Sequence, residues 1–425
     1  PFEATRQPSK GRPETEDLRP NPLTGIALAV LQATAVRAVA PGPAPAPAPG
    51  APPASCRVVQ HIGSDVGTQT LAAINSTLDH ANAAAEAKAP PDGATWQPTP
   101  LELPRVDMTG VRGVADGNEQ DADAVAAAAK VVGEAARGIG FFILVNTGID
   151  EELFTDSLRL TREIHSDSNV RFPVAFAPPE SDIGLQRKGA SSAARAMNRI
   201  DTGEPKVDHI QSLMVGPADE ERCKRMARHS MAGVWPEGTE AARTFREKSI
   251  EFMRELEALS MDARALLALS AGLDRRTFIT PVEENAGLIR YNFYPPLDEA
   301  DDPCAGKPGH AHLGGHADIG SCTLLIADRP GLQIVNEGEW CAPPLVKGGV
   351  YVNCGDLMRM WSNDAFTSAV HRVRMPTGAH DGRASIAFFS SDYINRSPEY
   401  KEPLIVPVPE LLVEHDRARA RVRRL

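Results

Sequence analysis

The segment Gly315-His-Ala-Asp-Ile-Gly-Ser-Cys-Thr-Leu-Leu-Ile-Ala327 has two halves with different chemistry. The first places a histidine and an aspartate two positions apart. The second, Cys322–Ala327, is a short apolar run of the length and composition of a buried strand. Outward from it the same texture repeats. Leu288–Tyr294, Leu332–Val335, Gly349–Asn353, Ser368–Arg374 and Ala384–Phe389 are further β runs, separated by Gly, Pro, Asn and Asp. Six such runs within about a hundred residues predict a β-sandwich or barrel.

Upstream the periodicity changes. Phe245, Phe252, Leu256, Leu259, Ala263, Leu266 and Leu269 recur at three, four and seven, tracing one face of a helix that stops near Gly272. Asp121–Arg137 and Glu151–Ile164 also read as helices, and Leu103–Asp107 and Ile139–Asn146 as strands. Residues 166–215 show no clear period. Helices first and strands afterwards give an α+β chain whose chemistry lies in its β half.

The candidate chemistry begins with His316 and Asp318, which a strand would aim to one side. His371 follows 53 residues after Asp318. Two imidazoles and one carboxylate leave open coordination positions and suit Fe(II); a closed zinc site would fill a fourth place with protein. Taken alone these three residues mark only a metal site. Arg383-Ala-Ser385 lies twelve residues past His371, and an arginine and a serine on one strand face grip a carboxylate. Tyr294, in Arg290-Tyr-Asn-Phe-Tyr-Pro-Pro296, is placed to reach the same group. His310 and His312 crowd His316 but fall off the strand period and read as loop residues. Asp356 reads as a turn residue, and Trp340 and Trp361 as packing.

Composition sets the outer bounds. The chain has 425 residues, 42% hydrophobic and 24% charged, with a net charge of -11. That balance fits a globular protein and argues against nucleic-acid or anionic-membrane binding. Ile26–Val39 is too short and too interrupted for a membrane span. The six cysteines (Cys56, Cys223, Cys304, Cys322, Cys341 and Cys354) form no CxxC pair, which favours a reducing, cytoplasmic setting. The chain opens on Pro1, so any targeting signal lies outside what is read here. The Pro/Ala run Pro41–Pro53 cannot form helix or central strand. It marks residues 1–98 as a low-complexity, disordered extension, with a weak helix around Thr70–Lys88. The arginines of 411–425 read as a solvated basic tail.

From about residue 101 to 410 the chain resembles the isopenicillin N synthase-like family of 2-oxoglutarate- and Fe(II)-dependent oxygenases. The resemblance rests on Gly315–Leu325, Gly331-Leu-Gln-Ile334, Asn353-Cys-Gly-Asp-Leu357, Trp361-Ser-Asn363, His371-Arg-Val373 and Arg383-Ala-Ser385, in family order. It implies a double-stranded β-helix (jelly-roll) core flanked by helices. It divides the chain into an N-terminal helix-and-strand region over 99–215, helical support over 216–280 and an oxygenase core over 281–410. It also implies roles. His316, Asp318 and His371 match the catalytic iron ligands, Arg383 and Ser385 the pair that binds the distal carboxylate of 2-oxoglutarate, and Tyr294 a residue that assists them. Asn292 sits where a polar side chain often faces the cosubstrate or substrate, and Phe389 where an aromatic lines the substrate pocket.

The implied cofactors are Fe(II), 2-oxoglutarate and O2. The implied reaction oxidises a small organic metabolite in a monomeric enzyme, by hydroxylation, desaturation or cyclisation, with release of succinate and CO2. Two departures stand out. Asn146-Thr-Gly148 replaces the family's Asn-His-Gly, and Asp182–Gly216 matches poorly, so no substrate transfers by analogy. The alternatives are a family oxidase that works without 2-oxoglutarate, an inactive binding module and, more remotely, a zinc hydrolase.

Overall fold

The computed structural model describes residues 68–88, 97–172, 184–186, 210–216, 235–279, 287–296, 311–318, 320–374 and 381–390. Alternation of apolar side chains has built two facing sheets. The smaller has the order β1 (Thr99–Pro100), β10 (Glu339–Ala342), β9 (Leu332–Asn336), β12 (His371–Val373) and β7 (Leu313–His316). The larger runs β2 (Arg105–Asp107), β3 (Phe141–Val145), β11 (Val350–Cys354), β8 (Cys322–Ala327), β13 (Arg383–Phe389), β6 (Leu288–Tyr294), β5 (Gln211–Val215) and β4 (Gly184–Gln186). From β6 to β13 the chain passes repeatedly between the sheets, as a jelly roll requires.

The two faces of the larger sheet differ in composition because strand side chains alternate with a period of two. Ile289, Tyr291, Leu324, Ile326, Val350, Val352, Ile386 and Phe388 face outward into one large apolar core. Three helices cover that face: α2 (Ala122–Arg137), α3 (Glu151–Ser166) and α4 (Glu240–Ser270). Each begins where a side chain satisfies free backbone donors. Asp121 accepts from the N–H groups of Asp123 and Ala124, Asp150 from those of Glu152 and Leu153, and Thr239 from that of Ala242. The α4 stripe expected from periodicity is buried at Phe245, Phe252, Leu256, Leu259, Ala263 and Leu266. Each such large side chain contributes about 1.5–3 kcal/mol by burial. No helix among the described residues is long and apolar enough to cross a membrane.

Between the sheets a second core joins Phe141, Ile143 and Tyr351 of the larger sheet to Leu332 and Ile334 of the smaller. A third joins Tyr294 to Leu313 and Val373. The cross-strand pair Cys322 and Cys354 consists of buried free thiols.

Three segments go beyond the sequence expectations. Residues 68–87 form helix α1 (Thr68–Ala87), where a weak helix is expected around Thr70–Lys88, and the part not expected is its docking: Leu78, Ala81 and Ala85 pack against Trp340 and Val370. Its Asn82 Oδ1 accepts from Trp340 Nε1 at 2.9 Å and from the Arg372 guanidinium at 3.4 Å. Arg372 in turn lies 4.0 Å over the Trp340 ring and donates to Gln333 Oε1 at 2.7 Å. An alanine-rich helix is a weak signal in isolation; a docking partner distant in sequence gives it its place. The Pro41–Pro53 run lies outside the described residues, as do Ile26–Val39, Cys56, Cys223, Cys304, His310 and 411–425.

The second segment is residues 166–215, which hold β4 and β5, strands at the end of the larger sheet, and the close of α3. The third is β10, which pairs with β9 through a tight turn, with Glu337 and Gly338 both at positive φ. Asp356 opens a short helix, α5 (Asp356–Trp361). Trp361 packs, stacked on Phe278 at 6.2 Å.

Candidate metal and cosubstrate site

His316 ends β7 and His371 begins β12, and the two residues are direct cross-strand partners. Asp318 lies beyond the end of β7, so the strand-period argument that paired it with His316 does not hold. Other contacts carry it inward. The Asp318 carbonyl accepts from the Asp356 N–H at 2.7 Å, and its carboxylate Oδ2 accepts from Asn353 Nδ2 at 2.8 Å. Gly355 makes this approach feasible, since a Cβ there would sit 2.2 Å from the Gly320 carbonyl and 2.8 Å from that of Asp318. The segment Asn353-Cys-Gly-Asp356 therefore works as a clasp on Asp318.

The three side chains converge. His316 Nε2 lies 3.7 Å from Asp318 Oδ1, and His371 Nε2 lies 3.8 Å from Asp318 Oδ2. One ligand atom from each falls within 4.8 Å of the others, and among the described residues they form the one such group of His, Cys, Asp or Glu. His316 Nδ1 contacts the Gly314 carbonyl at 2.8 Å and His371 Nδ1 the Ala369 carbonyl at 3.0 Å. A carbonyl only accepts, so both Nδ1 atoms carry a proton, and Nε2 of each ring faces the centre. Burial, reinforced by the neighbouring His371, pushes the His316 pKa down to about 4. Burial raises the Asp318 pKa, but the two imidazoles and the Asn353 hydrogen bond outweigh it and hold the carboxyl below its usual range. Two imidazoles with Nε2 inward and one carboxylate, pre-aimed at a common point, fit a divalent transition metal. His312 is buried but stands apart from this group.

The residues expected to grip a carboxylate sit on the facing sheet. Register pairs Arg383 with Tyr294 and Ser385 with Asn292 across β13 and β6. Arg383 donates from a terminal nitrogen to Ser385 Oγ at 3.1 Å and from Nε to the Arg329 carbonyl at 3.1 Å. Its guanidinium carbon stands 5.2 Å from the Tyr294 ring centre. Burial lowers its pKa, and Tyr294 and Asp328 oppose the shift. Gly331, at φ +147°, leaves room for this arginine; a Cβ would lie 3.2 Å from Arg383 Nε. A recess reaches Arg383 past Ala327, Arg329, Gly331, Leu332 and Tyr351, and it does not extend to the two histidines. Tyr294 links the two groups, because it packs with Leu313 and Val373 on the strands that carry His316 and His371.

All seven residues expected to serve the metal and cosubstrate therefore lie in the jelly roll, and Phe389 is half-buried six positions along β13 from Arg383. Asn292 is buried, and its Oδ1 has no hydrogen-bond partner among the described residues. Three residues escape the sequence reading. Asn353 stands in a quoted motif, but its contact with Asp318 needs the fold. Arg290 shares strand parity with Asn292 and Tyr294, a signal available in the chain. Ser212 lies in the stretch without a period.

Residues 285–392 match the profile described as the 2OG-Fe(II) oxygenase superfamily. Gibberellin 20 oxidase 1 of Arabidopsis thaliana is 26% identical over 313 residues, 73% of this chain and 74% of its own. The 2-oxoglutarate-Fe(II) type oxidoreductase hxnY of Emericella nidulans is 35% identical over 160 residues, 37% of this chain and 44% of its own. Among solved structures, a full-length Neurospora crassa protein in complex with alpha-KG and 5-formyluracil aligns at a TM-score of 0.56 and 22% identity, covering 77% of this chain and 97% of that one. JOX2 in complex with 2OG, Fe and JA aligns at 0.54 and 23%, covering 76% and 83%. These two likenesses concern the fold. With the profile match and the curated relatives beside them, residues 285–392 carry a 2OG-Fe(II) oxygenase superfamily domain, and the likeness to curated relatives extends over 73% of the chain.

Proposed function

We propose that this protein is an Fe(II)- and 2-oxoglutarate-dependent dioxygenase that oxidises a small organic metabolite, by hydroxylation, desaturation or cyclisation. The observation that carries the reading is the convergence of His316, Asp318 and His371 on one point, with Arg383, Ser385 and Tyr294 on the facing sheet. When bound, iron with 2-oxoglutarate and O2 supplies the oxidising power: the cosubstrate is decarboxylated to succinate and CO2, taking one oxygen atom, and the other oxidises the substrate.

The protein's part is position and the exclusion of water. His316 and His371 offer Nε2, and Asp318 a carboxylate held by Asn353. Arg383 is the charge for the distal carboxylate of 2-oxoglutarate, Ser385 Oγ fixes the guanidinium, and Tyr294 closes the far side. Asn292 and Phe389 line the same inner face towards the substrate. The protein acts as a monomer on its small-molecule substrate.

The test is succinate release and oxygen uptake, measured with Fe(II) and a substrate library, with and without 2-oxoglutarate. Turnover is expected only with the cosubstrate. Substrate-dependent oxygen uptake of equal rate without it would replace this reading with a 2-oxoglutarate-independent oxidase.

A further inference from the structure

The start of β13, where Arg383 stands, is held by a residue from outside the jelly roll. Arg159 on α3 pairs with Asp156 and Glu163 of its own helix. Arg162, three positions on, reaches the larger sheet instead. Its guanidinium donates to Asp328 Oδ2, to the Asp381 carbonyl at 2.6 Å and to the Gly382 carbonyl at 3.4 Å. It also stands 5.8 Å from the centre of the Phe293 ring on β6. The side chains of Arg162 and Asp328 are 22% and 21% exposed, so this pair is screened less than a surface pair.

Asp328 carries the restraint to both sides of Arg383. Its Oδ1 accepts from the Ala384 N–H at 2.9 Å, and its own N–H donates to the Ala384 carbonyl at 3.1 Å. The preceding residue, Gly382, has its carbonyl on Arg162. The next residue along from Asp328 is Arg329, whose carbonyl accepts from Arg383 Nε. Backbone and side chain of Arg383 are therefore tied to one short segment, which Arg162 pins to α3. Gly382, at φ +91°, is pressed against β6: a Cβ there would lie 2.7 Å from the Tyr294 carbonyl and 2.9 Å from the Phe293 ring. A shift of residues 381–382 is thus felt at Tyr294 as well as at Arg383.

We propose that Arg162, acting through Asp328, is a positioning residue for Arg383 and sets the affinity for the distal carboxylate of 2-oxoglutarate. The inference rests on the dioxygenase reading above and adds a determinant of cosubstrate binding on a helix that gives the site no ligand. A guanidinium grips a carboxylate through directional bonds, so its value depends on a fixed base. Without Arg162, Asp328 loses its cation and two carbonyls at the start of β13 lose their donor. Arg383 keeps its bonds to Ser385 and the Arg329 carbonyl, but on a segment no longer pinned to α3.

The test uses the full chain loaded with Mn(II), which binds without turnover. Calorimetry compares 2-oxoglutarate with 2-oxopentanoate, a keto acid of equal length that lacks the distal carboxylate. The wild type is expected to bind 2-oxoglutarate about tenfold or more tightly. Arg162→Met should weaken 2-oxoglutarate about fivefold and leave 2-oxopentanoate and Mn(II) within about twofold, while Arg162→Lys should recover part of the loss. Asp328→Asn keeps an acceptor for the Ala384 N–H but removes the charge that Arg162 meets. It should reproduce the effect even if Arg162→Met does not fold. In an Arg383→Gln background, Arg162→Met should add nothing, because the group it positions is gone. Unchanged 2-oxoglutarate binding in Arg162→Met and Asp328→Asn, or an equal loss for both keto acids, overturns the proposal. Equal binding of the two keto acids by the wild type overturns instead the reading that Arg383 holds the distal carboxylate, and this inference with it.

Discussion

The two faces of the eight-stranded sheet are made by the same strands and serve opposite ends. On β13, Ile386 and Phe388 turn outward into the helix-backed core, while Arg383 and Ser385 turn inward. On β6, Tyr291 faces outward and meets Phe245 at 4.7 Å, while Arg290, Asn292 and Tyr294 face the space between the sheets. The outer face is apolar, closely packed and stabilising. The inner face buries guanidiniums, an amide and a phenol, which lowers stability unless their polar groups find partners. Stability and chemistry are thus separated by one residue of register and about one sheet thickness.

That separation predicts which changes uncouple activity from folding. The largest effect is expected on the inner side. His371→Ala should abolish succinate release and weaken metal binding, while the thermal midpoint of the metal-free protein changes little; undiminished succinate production would remove His371 from the site. Phe252→Ala, under the outer face, should do the reverse. It deletes a fully buried ring in edge contact with Phe154 at 5.6 Å, and should cost about 3–5 kcal/mol in a denaturant titration. Turnover per folded molecule should be preserved. A loss of kcat in that folded fraction would mean that the two faces are coupled.

Arg383→Gln should raise the half-saturating 2-oxoglutarate concentration by about 10- to 100-fold with folding intact, the effect of a lost charge-assisted bond. The contrast also has a pH signature. His165 closes α3 beside Phe172 and Phe293 on the outer side, and burial pulls its pKa down to about 4 against the opposing bond to the Thr161 carbonyl. The unfolded chain takes up this proton near the ordinary value of 6.5. The contribution of the neutral ring is therefore complete above that value and is lost as pH falls towards about 4, at up to about 1.4 kcal/mol per pH unit. Urea midpoints across this window should fall less steeply in His165→Leu than in the wild type, and equal slopes would exclude His165 as a source. The smallest effect is expected at the smaller sheet. Asn82→Ala removes the acceptor for Trp340 Nε1 and should cost about 1 kcal/mol, read as earlier proteolysis around α1 with activity unchanged.

How much of this is legible in the chain follows from which signals are local. The runs that become β6 and β8 carry the same bounds in sequence and structure, because an apolar run punctuated by turn residues is a local signal. The α4 stripe is legible for the same reason. The candidate ligands His316 and His371 are legible too, but the argument that adds Asp318 assumes a strand that has already ended there. The carboxylate is steered by Asn353, Gly355 and the Asp356 N–H, which are distant in sequence and close only in the fold. β5 escapes because as an outlying strand it shows no alternation strong enough to rise above its polar surroundings. The docking of α1 escapes because its partner face, Trp340 and Arg372, lies some 260–290 positions away.

The strict alternation along β6 and β13 also bears on how such a protein can change over generations. A substitution at Arg290, Asn292, Ser385 or Phe389 alters one inner-facing group and leaves the outer core untouched. Inserting or deleting one residue within either strand exchanges the two faces beyond that point, aiming guanidiniums at the helices and aromatic rings into the cavity. New specificities are therefore open to point replacement within these strands, while changes of length are confined to the connections between them. The lineage can explore what it binds far more freely than how it is threaded.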